Sequence, residues 1–281
     1  MEASVAAKHR NLEDRVRAMK AVVVAYSGGV DSSLVAGVAH EVLGDRALAV
    51  TAVSAALARR DLDEAASLAG ARGWRHRTVS THEGRREGYV RNAQDRCYWC
   101  KTELFETLAP LAAELDAVVV TGTNADDLSD HRPGLLAAAE HSIRAPLAEA
   151  GLAKSDVRAL ARAMGLPTAD KPASPCLASR FAYGVKVTPE GLRRVERAEE
   201  AVRAHGFADL RVRDHGDLAR IEVPRDEVER AAALSAVLAD ALRELGWRYV
   251  TLDLMGFRSG SLNEVLAAPT LRGRRTTSST A

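Results

Sequence analysis

The hydrophobic and polar positions change period several times along the first half of the chain. Residues 1 to 19 set apolar positions among charged ones at helical spacing, which predicts an amphipathic helix. The run Ala21-Val22-Val23-Val24-Ala25-Tyr26 is too short for a helix and rich in β-branched residues, so it reads as a buried strand. Ser27 to Ser33 interrupts with Gly28 and Gly29, and an apolar-periodic segment then continues through Leu43 and stops at Gly44. The order is strand, glycine loop, helix. Further strands are predicted at Ala47 to Val53, Arg75 to Val79 and Asp116 to Thr121, with a helix from about Leu57 to Ala71. Strands alternating with helices predict an α/β fold with a doubly wound parallel sheet, and ligands are expected beyond the carboxyl ends of its strands.

The pattern changes after about residue 165. Ser155 is expected to cap a helix ending at Gly165, after which Pro167, Pro172 and Pro175 keep the chain extended. Thr188-Pro189-Glu190 opens a long charged helix ending at Gly206. Strands at Leu210 to Arg213 and Arg220 to Val223, a helix from Pro224 to Leu245 and a strand from Tyr249 to Leu254 predict a smaller C-terminal α+β domain. The expected division is 1–170 for the sheet domain, 171–187 for a linker, 188–268 for a substrate-binding or oligomerisation domain, and 269–281 for a disordered tail.

Composition narrows the function classes. The 281 residues carry a net charge of +1, so no whole-protein field draws the chain to nucleic acid or an anionic membrane. No apolar run approaches the ~18 residues of a spanning helix, and the charged first turns do not resemble a secretory signal. A cytoplasmic protein without membrane or nucleic-acid partners is expected, with homo-oligomerisation left open. The 3 cysteines are an odd number and do not make a disulfide framework.

The glycine loop sits where the free amides of a helix's first turn meet whatever enters, and phosphate suits that place. Gly28 and Gly29 permit close backbone approach, while Ser27, Ser32 and Ser33 carry hydroxyl donors. Asp31 beside an anion is explained by a helix cap or by Mg²⁺ held against phosphates. A plain capped glycine turn is the simpler reading of the same residues. Neither a Walker A pattern nor a GxGxxG fingerprint is present. Ser27-Gly28-Gly29-Val30-Asp31-Ser32 resembles the PP-loop of the ATP pyrophosphatase superfamily, which includes NAD synthetases, GMP synthetases and tRNA thiolases. The resemblance implies an adenine nucleotide alpha hydrolase-like sheet and a loop that cradles the pyrophosphate of ATP while a substrate is adenylated.

Gly122-Thr123-Asn124-Ala125-Asp126-Asp127, followed by Asp130-His131-Arg132, leaves the end of another predicted strand. Its carboxylates suit Mg²⁺ or a ribose, Arg132 suits an anion, and Lys154 suits a phosphate. A solvated turn and a surface lysine are the plainer readings. Cys97-Tyr98-Trp99-Cys100 is a CxxC, which serves as half a zinc site, a redox pair or two small buried side chains. Zinc would need a fourth ligand such as His131 or His82, whereas a four-iron cluster on three thiolates leaves one iron open for sulfide. Cys176, in Ser174-Pro175-Cys176-Leu177-Ala178-Ser179-Arg180, also suits a thiolate nucleophile toward an adenylated carboxylate.

Together with Arg-Val-Arg at 211 to 213, Ala-Arg-Ile-Glu-Val at 219 to 223 and Gly-Phe-Arg-Ser-Gly-Ser at 256 to 261, these motifs resemble the LarE family of ATP-dependent sulfur transferases over about residues 8 to 268. The resemblance implies adenylation of pyridinium-3,5-biscarboxylic acid mononucleotide and its conversion to a thiocarboxylate, in making the nickel-pincer cofactor of lactate racemase. It implies ATP and Mg²⁺ at Ser27, Gly28, Gly29, Asp31, Ser32, Ser33, Asn124 and Asp127, and catalysis at Cys176. In single-cysteine members that cysteine gives up its own sulfur and becomes dehydroalanine. In three-cysteine members, which Cys97, Cys100 and Cys176 match, a [4Fe-4S] cluster carries sulfide from a separate donor, and this is the favoured expectation. Arg211 and Arg213, on one strand face, are expected at the mononucleotide phosphate, with Ser179, Arg180 and Trp99 also at the substrate. Glu222 and Asp253 suit a metal or an arginine. A tRNA thiolase and, in another class, a non-catalytic ATP-dependent cluster or metal carrier are the competing readings.

Overall fold

The computed structural model describes residues 3–129, 133–258 and 260–262. In chain order the first half contains α1 (Ala3–Ala18), β1 (Val22–Ala25), α2 (Val30–Leu43), β2 (Ala47–Val53), α3 (Arg59–Ala71), β3 (His76–Ser80), α4 (Glu87–Val90), α5 (Arg96–Glu114) and β4 (Val118–Val120). There follow α6 (Pro133–Glu140), α7 (Pro146–Glu149), α8 (Lys154–Ala163), α9 (Pro189–Arg203), β5 (Arg211–Asp214), β6 (Leu218–Glu222), α10 (Val228–Ala233), α11 (Ser235–Glu244) and β7 (Tyr249–Leu252).

The first four strands form one parallel sheet in the order β3-β2-β1-β4. Val22, Val23 and Val24 pair with β2 on one side and β4 on the other, which is why the run shows no polar alternation. Val22, Val24, Ala49 and Val120 pack into one apolar cluster with Leu12 of α1, Leu34 of α2 and Leu160 of α8. Val23, Leu48, Val50 and Val119 pack into another with Leu108 and Leu111 of α5. The sheet is therefore wound on both faces. The chain moves outward from β1 to β3 and then crosses to β4 on the far side of β1, and that reversal opens a crevice at the carboxyl ends of β1 and β4. Both polar motifs leave the sheet there.

A second sheet orders β5-β6-β7, antiparallel between β5 and β6 and parallel between β6 and β7. Val212 and Ile221 share a buried cluster with Val195 and Val202 of α9 and Leu242 of α11. Ala56, Tyr89, Leu177 and Ala178 belong to that same cluster, so the Cys176 segment is packed between the two sheets' surroundings.

The structure departs from the sequence pattern at several points. Ser155 is not a cap: α8 starts at Lys154, and the Asp156 carboxylate accepts from the Ala153 amide at 3.0 Å. The helix expected from Pro224 to Leu245 is a short 3₁₀ turn followed by α10 and α11, with a break at Leu234 that turns both Ala231 and Leu238 into the core. The long helix α5 has no counterpart in the pattern, because Pro110 stands within it and ordinarily signals an end. Asp116 at φ 47° turns the chain so that β4 begins only at Val118. Thr188 does cap α9, accepting from the Gly191 amide at 3.1 Å, with Pro189 in the first turn. The expected tail from 269, and Asp130, His131 and Arg132, lie outside the described residues. No described helix is long and apolar enough to cross a membrane.

Candidate active site

The loop after β1 is closed on itself. The Ser32 hydroxyl bonds the Gly29 carbonyl at 3.1 Å and the Ser27 hydroxyl at 3.1 Å, and accepts from the Ser27 amide at 3.2 Å. The first main-chain bond of α2 runs from the Ser33 amide to the Gly29 carbonyl, leaving the earlier amides as donors at the positive end of the helix dipole. Gly28 sits at φ +73°, and a Cβ there would stand 2.8 Å from the Ala65 Cβ of α3. Only glycine satisfies both constraints. Ser33, in the first turn of α2, is fully buried. Asp31 does not cap α2.

Asp31 instead joins the two motifs. It accepts from Asn124 Nδ2 at 3.1 Å and from Lys154 Nζ at 2.5 Å. Asn124 is buried, its amide donates to Asp127 at 3.1 Å, and its side-chain oxygen accepts from the Asp126 amide at 3.0 Å. Lys154 also donates its own amide to Asp126 at 2.8 Å, so it belongs to the loop rather than to open surface. A Cβ on Gly122 would come within 2.7 Å of the Ser32 nitrogen. The end of β4 thus rests directly on the loop backbone.

The thiols stand on a neighbouring face. Cys97 and Cys100 lie in the first turns of α5, with Cys97 and Cys176 exposed and Cys100 half-buried. Arg96 donates to the Ala178 carbonyl at 2.8 Å and also to the Asn92 side chain. Asn92 donates to the carbonyls of Ala182 and Val185 at 2.8 and 2.9 Å. These bonds tie the start of α5 to the segment carrying Cys176. Burial pushes the Cys100 thiol up to about 12, and the nearby thiols of Cys176 and Cys97 add to the shift.

The same segment is tied back to the loop. Leu177 donates its amide to the Ala56 carbonyl at 2.9 Å, Ser174 Oγ to Asp61 at 2.9 Å and Lys171 Nζ to Glu64 at 2.8 Å. Asp61, Glu64 and Ala65 are all on α3, the helix against which Gly28 packs. A cleft of about 850 Å³ lined by Gly28, Glu64, Leu68, Thr168 and Lys171 runs beside this contact.

Three thiols have the right chemistry for an iron-sulfur cluster. Among the described residues no three His, Cys, Asp or Glu side chains are grouped as a metal site, but the thiols of Cys97 and Cys176 are near enough to raise that of Cys100. Cys100 is drawn into the apolar packing around Tyr89, while Cys97 and Cys176 remain at the surface. His82 completes no zinc site for the same reason.

The arginines divide by partner. Arg213 is buried and paired with Glu222 at 2.8 Å, and Arg220 bonds the same carboxylate at 2.9 Å. Glu222 therefore has two arginine partners, and Asp253 faces Arg220 at 3.6 Å. Arg180 is also buried, gripping Glu199 at 2.8 Å. The guanidinium groups of Arg213 and Arg180 are thus both engaged by buried carboxylates. Arg211 differs: it donates to the carbonyls of Leu210 and Ala173 and lies 4.9 Å from the Phe257 ring, with no salt bridge to a carboxylate among the described residues. Ser179 accepts from Arg180 at 3.0 Å. Trp99 is held by a 2.9 Å bond to Asp95 and packs onto Gly88, so its ring faces protein. Sequence reasoning missed Glu199, although a lone carboxylate on the apolar stripe of Val195, Ala198 and Val202 in α9 is a readable sign of a buried partner.

Comparison with known proteins agrees with this geometry. The family model described as NAD synthase matches residues 5–94, the stretch that contains β1 and the loop, and so defines the nucleotide-loop class. The pyridinium-3,5-bisthiocarboxylic acid mononucleotide synthase of Lactiplantibacillus plantarum is 38% identical over 94% of this chain and 96% of its own. The chain belongs to the LarE family of that synthase. An uncharacterised protein of Synechocystis is 45% identical over 92% of this chain and 98% of its own. A tRNA-specific 2-thiouridylase of Azorhizobium caulinodans is 35% identical over 54% of this chain and 49% of its own.

Proposed function

We propose that this protein is an ATP-dependent sulfur transferase that adenylates a carboxylate of pyridinium-3,5-biscarboxylic acid mononucleotide and returns the thiocarboxylate, with release of pyrophosphate and AMP. The observation that carries the reading is the short relay from Gly28 through α3 to the Cys176 segment, which sets an exposed thiol beside a phosphate-type loop. Residues 1–170 hold ATP, with the loop amides and the hydroxyls of Ser27 and Ser32 at the phosphates. Asp31 and Asp127 would hold Mg²⁺, which would screen the charge of the phosphates. The segment 171–187 presents Cys176, and Arg211, within 188–268, takes the substrate phosphate.

A substrate carboxylate oxygen attacks the α-phosphorus and pyrophosphate leaves. Sulfide then attacks the acyl carbon and AMP leaves, giving the thiocarboxylate. Cys97, Cys100 and Cys176 would hold a [4Fe-4S] cluster, which would supply that sulfide from a separate donor; in the alternative route Cys176 forms a thioester, gives up its own sulfur and becomes dehydroalanine. A reducing cytoplasm, which keeps the three cysteines as thiols, suits this chemistry. The thiouridylase relative covers only about half of each chain, which argues against a tRNA substrate.

The test incubates anaerobically purified protein with ATP, Mg²⁺ and the pyridinium mononucleotide. Pyrophosphate release that depends on that substrate, together with a thiocarboxylate product, is expected. ATP turnover with tRNA but not with the mononucleotide overturns the reading. Iron and labile sulfide measured on the same preparation decide the sulfur route: both present, with Cys176 unchanged after turnover, is expected, and dehydroalanine at position 176 transfers the role to the sulfur of Cys176 itself.

A further inference from the structure

Tyr89 lies in the short helix α4 and is 2% exposed, and its hydroxyl is buried without a hydrogen-bond partner among the described residues. Its backbone is well tied: the Tyr89 amide donates to the Arg86 carbonyl at 3.0 Å, and the Tyr89 carbonyl accepts the Asn92 amide at 3.1 Å. The ring belongs to the apolar cluster of Ala56, Leu177 and Ala178, against which Trp99 and Cys100 pack. That packing accounts for the ring and leaves the hydroxyl unexplained, since phenylalanine would fill the same space without an orphaned polar atom. Burial pushes the phenol above its ordinary range, and Cys176, Glu83 and Cys100 add to the effect in that order. The hydroxyl therefore keeps its proton, and two of the three thiols stand near it. Glu83 is buried too, but its carboxylate already accepts from Ser54 Oγ, which in turn accepts the Ala56 amide at 3.2 Å. The Ala56 carbonyl takes the Leu177 amide, so Glu83 is engaged in holding the chain beside Cys176. Sulfur is the acceptor left for the Tyr89 proton.

We infer that Tyr89 is a positioning residue that donates a hydrogen bond to the sulfur of Cys176 when the three thiols hold their cluster. The inference rests on the reading in which Cys97, Cys100 and Cys176 carry iron and sulfide. A thiolate bound to iron keeps negative charge and free lone pairs, and an O–H donor set among apolar side chains stabilises that charge. The bond fixes the direction of the Cys176 sulfur. It also favours the additional negative charge that arrives on reduction, which raises the reduction potential.

The experiment compares Tyr89→Phe with the unaltered protein, each reconstituted anaerobically with iron and sulfide and each also kept as apoprotein. Loss of the cluster absorption to an iron chelator should be at least about 10-fold faster in Tyr89→Phe, the usual penalty for removing a partner that orients a metal ligand. Its reduction potential should be lower. The apoprotein should behave in the opposite sense: with an unpaired buried hydroxyl removed, its unfolding temperature should equal or exceed that of the unaltered apoprotein. This reversal separates a partner of sulfur from a merely structural tyrosine, whose loss would weaken both forms. An equal cluster lifetime, an unchanged or raised potential, or an apoprotein that unfolds at a lower temperature each overturns the inference alone. Unaltered protein that takes up no iron and labile sulfide overturns the cluster reading, and the inference with it.

Discussion

At the residue scale, the loop's function depends on which atoms are free. Gly28 combines a left-handed backbone with a missing Cβ, so Gly28→Ala is expected to cost about 1–2 kcal/mol of stability and to weaken ATP binding at least about 10-fold. Calorimetry of ATP binding beside thermal unfolding checks both, and undiminished ATP affinity would count against the loop assignment. The loop residues were legible in the sequence because glycine and serine at a strand's end have few other uses. The fate of Ser33 was not, because the distinction between Ser32 and Ser33 is a rotation of one helical step that only packing fixes. The thiols also differ by residue. Cys100 is half-buried with its thiol pushed up to about 12, so iodoacetamide at pH 8 is expected to label Cys97 and Cys176 at least about 10-fold faster. Peptide mass mapping over time gives the order, and Cys100 reacting first would contradict the described packing.

At the scale of elements, the important contacts are those that hold α5 against the Cys176 segment. Asn92 adopts φ 54° and directs its amide at carbonyls of Phe181, Ala182 and Val185. Asn92→Ala leaves those acceptors unmet and is expected to cost about 1–3 kcal/mol, with faster amide exchange over residues 177–187 than elsewhere. Uniform exchange across the chain would show that Asn92 does not fasten that segment. A second joint lies between α1 and α7, where Glu149 accepts from Arg144 at 2.6 Å and faces Arg15 at 3.4 Å. The Arg144 bond chiefly holds the Glu149 carboxyl below its usual range, helped by the Ala145 amide and the charge of Arg15. A depressed acid stabilises the fold above its unfolded value of about 4.3 and loses that contribution as pH falls through its folded value. Glu149→Gln should therefore cost about 0.5–1 kcal/mol at pH 7 and nothing at pH 2, read as the shift in urea midpoint. A loss of equal size at both pH values would exclude the ion pair as its cause. The sequence revealed neither joint, because each links residues far apart along the chain.

For the whole molecule, alternation of β-branched runs with helical periods was enough to predict a doubly wound sheet and to place both polar motifs at its crevice. It was not enough to find α5, whose Pro110 argues locally for an end while packing of Leu108 and Leu111 on the sheet overrides it. The partners of Arg213 and Arg180 were hidden for a related reason. Glu222 follows on the adjacent strand and Glu199 lies on α9, and only the packed sheet and helix bring them to the arginines. What the assembled molecule adds is proximity: a nucleotide-type loop, a helix that abuts it and a segment that hangs an exposed thiol from that helix. The most direct test of that arrangement weighs substrate and protein from one anaerobic single turnover with ATP and the pyridinium mononucleotide. The account predicts thiocarboxylate formed with Cys176 at its full mass. Cys176 lighter by the mass of hydrogen sulfide, or AMP forming with no sulfur transferred, would contradict it.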